Sequence, residues 1–333
     1  APREAALGRI SRRLVSLIPL FRRTSGASPS IMQVRLGNNL QLECESFGST
    51  DAPAVLLIMG LGAQLLRWNI EICDGLVAAG YRVIRFDNRD CGLSTHFDEA
   101  PIPAVGDVIA ALRNGEKPAV PYTLDDMADD CVGLLDALGI GAAHIVGISM
   151  GGAIAQLVAA HHADRVLSLT CLMASSGNLA LPGPTPEAAA ALFAPLPRDR
   201  SRDSIVADGI RRFLIVASPR YPSDGAWLQQ LFAREFDRGF YPQGVARQLA
   251  AIIANGDRRP LLKGIKVPTL VLHGADDPLI PAACGEDIAR HVPGARLKLI
   301  PGMGHDLPLA LTGELVAAIV AVARAAESAC ADA

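Results

Sequence analysis

A serine flanked by glycines lies near the middle of the sequence, in the run Gly147-Ile148-Ser149-Met150-Gly151. A short apolar stretch precedes it, and a helical pattern at 153–159 follows it. This G-x-S-x-G arrangement at a strand-to-helix turn is typical of a nucleophile elbow, in which a strained backbone exposes the serine hydroxyl. Glycine on both sides avoids side-chain crowding at so sharp a turn. An ordinary glycine-rich turn would carry the same motif, so the rest of the chain must decide between the two interpretations.

Serine needs a base to become a nucleophile at neutral pH, and the base needs a carboxylate that orients it. Both residue types follow Ser149 in loops that come directly after apolar, strand-like segments. Two adjacent acids, Asp276 and Asp277, follow the segment that ends at Leu272, and His305 lies in the glycine-rich stretch 301–306. Only one acid can face the histidine, because neighbouring side chains on an extended loop project to different sides. The order Ser, Asp, His is the one expected for a triad built around an elbow serine.

The loop after an earlier apolar segment can supply hydrogen-bond donors for an oxyanion. Residues 59–62 have the sequence Met-Gly-Leu-Gly and close the apolar run that begins at Ala54. The backbone N–H of Leu61 can pair there with that of Met150, the residue after the serine. The helix that begins after Ser149 also directs its unpaired N–H groups and its positive dipole end toward the site.

Strand-like and helix-like patterns alternate from residue 31 onward, which predicts a parallel sheet with helices on both faces. A leading hairpin, 31–36 and 40–47 around Gly37-Asn38-Asn39, predicts an antiparallel edge. The continuous apolar run at 54–59 is typical of a buried parallel strand. Further strands are predicted at 81–86, 166–173, 268–273 and 296–300, and helices at 65–79, 123–138 and from 312 onward.

One interval interrupts this alternation. Between 177 and 260 the pattern is helical, with a Pro- and Ala-rich stretch at 177–197 and helices predicted at 203–217 and 226–254. Such an insertion between two strands predicts a cap over the carboxyl ends of the strands, where open α/β sheets bind ligands. The long loop 95–122 is expected to form a second wall of the pocket. The predicted domains are an extension and linker at 1–30, a core at 31–176 and 261–333, and a helical cap at 177–260.

Composition and charge narrow the classes of partner and compartment. Apolar residues make up 50% of the chain and the net charge is −3, so nothing favours a nucleic acid. The seven cysteines are odd in number and scattered, with no C-x-x-C pair. That distribution is typical of reduced core residues and predicts a cytoplasmic protein.

The N-terminal segment 3–23 is basic and amphipathic. Its apolar run is broken by Pro19 and is too short to span a bilayer. We expect a helix that packs on the domain or on another subunit, so an oligomer stays open. The alternative is a helix that associates with a membrane surface.

Together these stretches resemble the α/β-hydrolase family over residues 31–326, leaving out only the N-terminal extension. The segment 87–94, Asp-Asn-Arg-Asp-Cys-Gly-Leu-Ser, is similar to the D-x-R-x-x-G-x-S turn of esterases, epoxide hydrolases and dehalogenases, with Asp90 where glycine is usual. Family dehalogenases and epoxide hydrolases carry aspartate at the elbow, so Ser149 argues against both reactions. The stretches 59–60, 85–90 and 301–305 most resemble the aclacinomycin methylesterase-like carboxylesterases. Met59 replaces a histidine that is common in this family, but a main-chain donor at Leu61 does not depend on that side chain.

The resemblance implies an α/β-hydrolase fold with a mostly parallel eight-stranded sheet, and a serine carboxylesterase without a metal or an organic cofactor. Ser149 would be the nucleophile, His305 the general base, and one of Asp276 or Asp277 the orienting acid, with the spacing after the glycine favouring Asp277. Leu61 and Met150 would form the oxyanion hole for a small-molecule ester. His273 fits the family's strand-end histidine beneath the acid loop. The remaining histidines considered are expected at strand and helix ends: His144, His161, His162 and His291.

Two rival functions stay open. The same triad can cleave a C–C bond, a lactone or an amide, or transfer the acyl group to another acceptor. A rival from a different class is a receptor-like hydrolase fold that binds a ligand without turning it over.

Overall fold

The computed structural model describes residues 29–331, so the amphipathic segment 3–23 lies outside the described residues. Eight strands form one sheet in the order β1-β2-β4-β3-β5-β6-β7-β8. β1 pairs antiparallel with β2, and β2 with β4, whereas all the other neighbouring pairs are parallel. This sheet confirms the predicted α/β fold and its antiparallel edge. The strands are β1 (Ser30–Arg35), β2 (Gln41–Phe47), β3 (Ala54–Ile58), β4 (Arg82–Phe86), β5 (Ala143–Ile148), β6 (Val166–Leu172), β7 (Thr269–Gly274) and β8 (Arg296–Ile300).

Helices cover both faces of the sheet. On one face α3 and α4 pack on the apolar residues of the strands, and on the other face α1 and α11 do so. β3 and β5 are buried along their whole length, as expected of central parallel strands. The α-helices are α1 (Ile70–Ala78), α2 (Val105–Arg113), α3 (Leu124–Ala137), α4 (Met150–His161), α5 (Pro186–Phe193), α6 (Arg202–Val216), α7 (Gly225–Gly239), α8 (Pro242–Asn255), α9 (Arg259–Leu262), α10 (Ala282–His291) and α11 (Thr312–Ala331).

Two elements differ from the sequence-based expectation. The helix predicted at 65–79 is a 3₁₀ turn, Leu65–Arg67, followed by α1, because Trp68 and Asn69 adopt non-helical ψ angles of 100° and 140°. The guanidinium of Arg85 donates a hydrogen bond to the Trp68 carbonyl, which is thereby satisfied outside a helix. The predicted loop 95–122 contains α2. Its apolar residues Val105, Val108, Ile109 and Leu112 recur at helical spacing, a signal that the prediction of a loop overlooked, although only Val108 of them is buried.

Helices α5 to α9 lie between β6 and β7 and are called the helical insertion below. α8 packs against α2 and α3, α9 against α4 and α10, and α7 against the 3₁₀ turn that precedes α1. α6 and α7 pack on each other around a small apolar cluster of Val206, Leu228 and Phe232. The predicted cap boundaries at 177 and 260 stay a prediction.

The segment Leu309–Ala329, most of it α11, is the one stretch among the described residues with the length and apolar composition of a membrane span. It packs on α1 and on β6. Val316 of α11 approaches α1 closely at Gly75, where an added Cβ would lie 2.9 Å from a Val316 methyl group. This packing is that of a core helix in a folded domain.

Candidate active site

The turn at Ser149 has the geometry that the G-x-S-x-G motif requires. Ser149 lies between the last residue of β5 and the first of α4, with φ of 57° and ψ of −121°. Non-glycine residues rarely adopt a positive φ, so this conformation is strained. Crowding explains the flanking glycines. A Cβ at Gly147 would lie 2.1 Å from the Gly151 carbonyl oxygen, and one at Gly151 would lie 2.1 Å from that of Ile58.

The Ser149 side chain is half-buried and lies beside the loop that follows β3. A Cβ at Gly60 would approach Ser149 Cβ to 3.2 Å and Ser149 Oγ to 3.6 Å. Within residues 29–331 the Ser149 hydroxyl has no hydrogen-bond partner, so the structure does not join it to His305. In enzymes without substrate, catalytic hydrogen bonds are often long and tighten only in the complex.

Asp277 and His305 are brought together from the loops after β7 and β8. Asp277 Oδ2 lies 2.6 Å from His305 Nδ1, and because an ionised carboxylate only accepts hydrogen bonds, this nitrogen carries the proton. The other oxygen, Oδ1, accepts the N–H groups of Leu279 at 2.8 Å and Ile280 at 2.9 Å. The Asp277 carboxylate is buried and fixed on both oxygens, as an orienting acid should be.

The neighbouring acid, Asp276, does not contact His305 but binds a backbone amide. Asp276 is exposed, and its Oδ2 accepts a 2.6 Å hydrogen bond from the N–H of Gly302. That bond joins the loop after β7 to the loop that carries His305. The geometry thus separates the two aspartates that the sequence left as alternatives, and Asp277 is the one on the histidine.

His273 lies beneath the acid loop, at the end of β7. It is fully buried, and its Nε2–H donates to the Ile280 carbonyl at 2.8 Å. Burial lowers the pKa of His273, which keeps the ring neutral. Its Nε2 lies 3.7 Å from Asp277 Oδ2, so the ring supports the acid loop from below.

The amides of Leu61 and Met150 have no hydrogen-bond partner in the described part of the chain. Met150 is the first residue of α4, where the backbone N–H has no intrahelical acceptor. Residues 59–62 form the loop after β3, called the β3 loop below. By contrast, the next amide in this loop, Gly62 N–H, already donates to the side chain of Gln248 at 2.8 Å. The structure therefore leaves the two predicted donors available and occupies their neighbour.

The end of α6 and the residues that follow it hold the loop that carries His305, and sequence reasoning did not identify them. His305 N–H donates to the Val216 carbonyl at 2.7 Å, and Gly304 N–H donates to Ser218 Oγ at 2.9 Å. Asp306 Oδ1 accepts both the N–H of Ser218, at 3.0 Å, and its hydroxyl. Burial raises the pKa of Asp306, whose Oδ2 has no partner among residues 29–331. No short motif marks Ser218, so only the three-dimensional structure reveals this contact.

The turn at 87–94 connects the chain near the β3 loop with α3 and with the helical insertion. Asp87 Oδ1 accepts the N–H of Leu65 at 2.7 Å, next to the β3 loop. Arg89 pairs with Asp130 of α3 at 2.6 Å. Asp90 has φ of 63° and is completely buried, where its carboxylate binds Arg247 of α8 at 2.7 Å. The residue that replaces the usual glycine is therefore half of a buried ion pair with the helical insertion.

The other predicted histidines lie away from the triad loops. His144 at the start of β5 lies 2.8 Å from Ser168, His162 lies 2.8 Å from Asp129, His161 lies 3.3 Å from Asp125, and His291 contacts the Asp287 carbonyl at 2.8 Å. In the described region, no three His, Cys, Asp or Glu side chains are arranged to hold a metal ion.

Comparison with known proteins gives the same family as the fold. A family model described as alpha/beta hydrolase fold matches residues 53–309. Rhodomycin D methylesterase DauP of Streptomyces sp. (strain C5) is 31% identical over 302 residues, which cover 83% of this chain and 92% of that protein. The 3-oxoadipate enol-lactonase 2 of Acinetobacter baylyi is 27% identical and covers 79% of this chain and 85% of its own. The solved structure of the esterase EaEST from Exiguobacterium antarcticum superposes with a TM-score of 0.64, at 22% identity and with 88% and 98% of the two chains covered.

Proposed function

Because the chain belongs to the α/β-hydrolase fold family and is a hydrolase, we propose that it hydrolyses carboxylic esters through an acyl-enzyme on Ser149. The observation that carries the proposal is the Asp277–His305 hydrogen bond, which lies at the carboxyl ends of the parallel strands, as does the strained serine. A serine hydroxyl alone is a weak nucleophile, and an oriented imidazole is the base that activates it.

In the first half of the reaction, Ser149 Oγ forms a bond to the ester carbonyl carbon as its proton passes to His305 Nε2. The carbonyl oxygen becomes an oxyanion, which the amides of Leu61 and Met150 stabilise. Asp277 keeps the proton on Nδ1 and stabilises the imidazolium. The ester C–O bond then breaks, and the Nε2 proton leaves with the alcohol.

In the second half, water replaces the alcohol. Its oxygen bonds to the acyl carbon while one proton passes to His305 Nε2, and the bond from the acyl carbon to Ser149 Oγ breaks. That proton returns to the serine, and the carboxylic acid departs. Each oxyanion donor contributes on the order of 100-fold to the rate.

The relatives suggest two arms for the substrate search. A methylesterase at 31% identity supports a carboxylic methyl ester. An enol-lactonase at 27% identity supports a cyclic ester, which the same acyl-enzyme chemistry opens. Both substrates need the same triad, so we expect the choice between them to depend on the pocket that the helical insertion and the 95–122 segment are proposed to shape.

The experiment is a panel of p-nitrophenyl esters of increasing acyl length, a bulky methyl ester, an enol-lactone and a vinylogous diketone. We expect turnover of esters to exceed that of the diketone, whose cleavage breaks a C–C bond. Ser149→Ala should lose on the order of 10⁴-fold or more in kcat while it unfolds at the same denaturant concentration. Ester turnover that survives Ser149→Ala would overturn the proposal, as would a folded wild-type protein that binds these compounds without turnover.

A further inference from the structure

The β3 loop is held by side chains at two points on either side of the Leu61 amide, in addition to a turn hydrogen bond from Ala63 N–H to the Gly60 carbonyl at 3.3 Å. On one side, Asn88 Nδ2 donates to the Met59 carbonyl at 3.0 Å in a buried contact. On the other side, Gly62 N–H donates to Gln248 Oε1 at 2.8 Å. The peptide planes between these two points have little freedom to rotate, and the Leu61 N–H is one of the groups that they carry.

Gln248 makes this second contact from the helical insertion. It lies on α8, it is completely buried, and its Nε2 donates to the Arg89 carbonyl at 2.7 Å. Its amide therefore has one neighbour that needs an acceptor and one that needs a donor, which fixes the orientation of the side chain. A buried amide with both ends paired keeps one rotamer, because release of either end would leave a polar group without a partner.

The helix that carries Gln248 is itself anchored beside the site. The adjacent Arg247 binds Asp90 Oδ2 at 2.7 Å and the hydroxyl of Tyr241 at 2.6 Å, almost without exposure to solvent. The backbone of Gly62 also lies close to the side chain of Val245 on α8, because a Cβ at Gly62 would lie 2.8 Å from a Val245 methyl group. α8 thus packs directly on the β3 loop and cannot shift without moving Gln248.

We propose that Gln248 is a positioning residue for the oxyanion hole, and the inference rests on the proposed function above. Gln248 occupies the Gly62 amide and holds the β3 loop so that the Leu61 N–H stays free and directed at the reacting carbonyl. It does not touch the substrate. Its effect is confined to the state in which negative charge develops on the carbonyl oxygen.

The test is Gln248→Met, which keeps an unbranched side chain of similar length and removes both hydrogen-bonding ends. With a p-nitrophenyl ester, kcat should fall by about 10- to 100-fold, the range below complete loss of one oxyanion donor, and KM should change by less than about two-fold. The inhibition constant of a trifluoromethyl ketone, which forms a tetrahedral oxyanion on the serine, should increase by the same factor. The affinity for the alcohol product should not change.

Asn255→Ala is the matched control, because Asn255 ends the same helix. It joins the insertion to Asp125 at 3.2 Å and to Arg258 but touches neither the β3 loop nor the triad. This variant should keep the wild-type kcat and the wild-type inhibition constant even if it unfolds more easily. A second variant, Gln248→Leu, removes both hydrogen-bonding ends in a shorter side chain and should weaken the binding of the ketone by the same factor.

The outcomes separate the inference from the proposed function. If the wild type turns over esters and a folded Gln248→Met keeps its kcat, or loses only KM, the positioning role is wrong and the mechanism stands. Should Gln248→Met not fold, the leucine variant decides: a 10-fold or larger loss of ketone affinity supports the role, and an affinity within about three-fold of the wild type overturns it. A wild type without Ser149-dependent turnover refutes the proposed function itself.

Discussion

Asp277 Oδ2 and His305 Nδ1 lie 2.6 Å apart, whereas the adjacent Asp276 directs its carboxylate to the Gly302 amide. Asp277→Asn should therefore lower kcat on the order of 10⁴-fold, because an amide in that place favours the wrong tautomer of the histidine. Steady-state kinetics with a p-nitrophenyl ester measures the loss.

Asp276→Asn is the matched control for that variant. It should keep most of the activity and lose about 1 kcal/mol of the free energy of unfolding, for one weakened loop hydrogen bond. The opposite order of activities would show that the orienting acid is misassigned by one residue.

Replacement of Asp90 by glycine, the residue that is usual at this position in the family, should destabilise the protein because it breaks the Asp90–Arg247 ion pair. Asp90→Gly relieves a positive φ but leaves Arg247 buried without its carboxylate, so we expect a loss of about 3 kcal/mol in the free energy of unfolding. Urea denaturation measures it. The double variant Asp90→Gly/Arg247→Met should be more stable than Asp90→Gly alone, because it also removes the stranded charge. Equal or lower stability of the double variant would contradict the account.

Two glycines should respond in opposite ways to alanine. At Gly151 the new Cβ would lie 2.1 Å from the Ile58 carbonyl oxygen, so Gly151→Ala should displace the elbow or prevent folding. At Gly106, in the first turn of α2, nothing lies within 4 Å and φ is not positive. Gly106→Ala should stabilise the protein by about 0.5–1 kcal/mol without altering kcat. Thermal unfolding and ester turnover test both, and a fully active Gly151→Ala would contradict the crowding argument.

Asp306 should make stability depend on pH in a specific direction. Burial raises its pKa in the folded state, so between the unfolded and the folded pKa the folded chain binds more protons than the unfolded one. This contribution to stability is complete below the unfolded value and is lost as pH rises through the folded value. The free energy of unfolding of the wild type minus that of Asp306→Asn should thus fall as pH increases from about 4 to 7. A difference that rises or stays constant with pH would contradict the shift.

Local patterns in the sequence predicted the sheet and the elbow well, because both are set by neighbours along the chain. The glycines around Ser149 and the apolar run of β3 are examples. The choice between Asp276 and Asp277 rested on spacing and resemblance, since it depends on which side of a loop meets a distant histidine. Gln248 and Ser218 were not predicted at all. Gln248 lies on α8, whose pattern reports only its own buried face, whereas Ser218 lies in the loop after α6 and carries no motif. Each contacts its loop across the fold.

The helical insertion holds both halves of the site. The end of α6 and the residues that follow it bind the loop of His305, and α8 binds the loop of Leu61. Under the proposed function, the insertion therefore cannot be exchanged as an independent unit. A transplanted insertion from a relative would lack the groups that bind both loops. Chimaeras should therefore exchange the insertion together with residues 59–62 and 301–306.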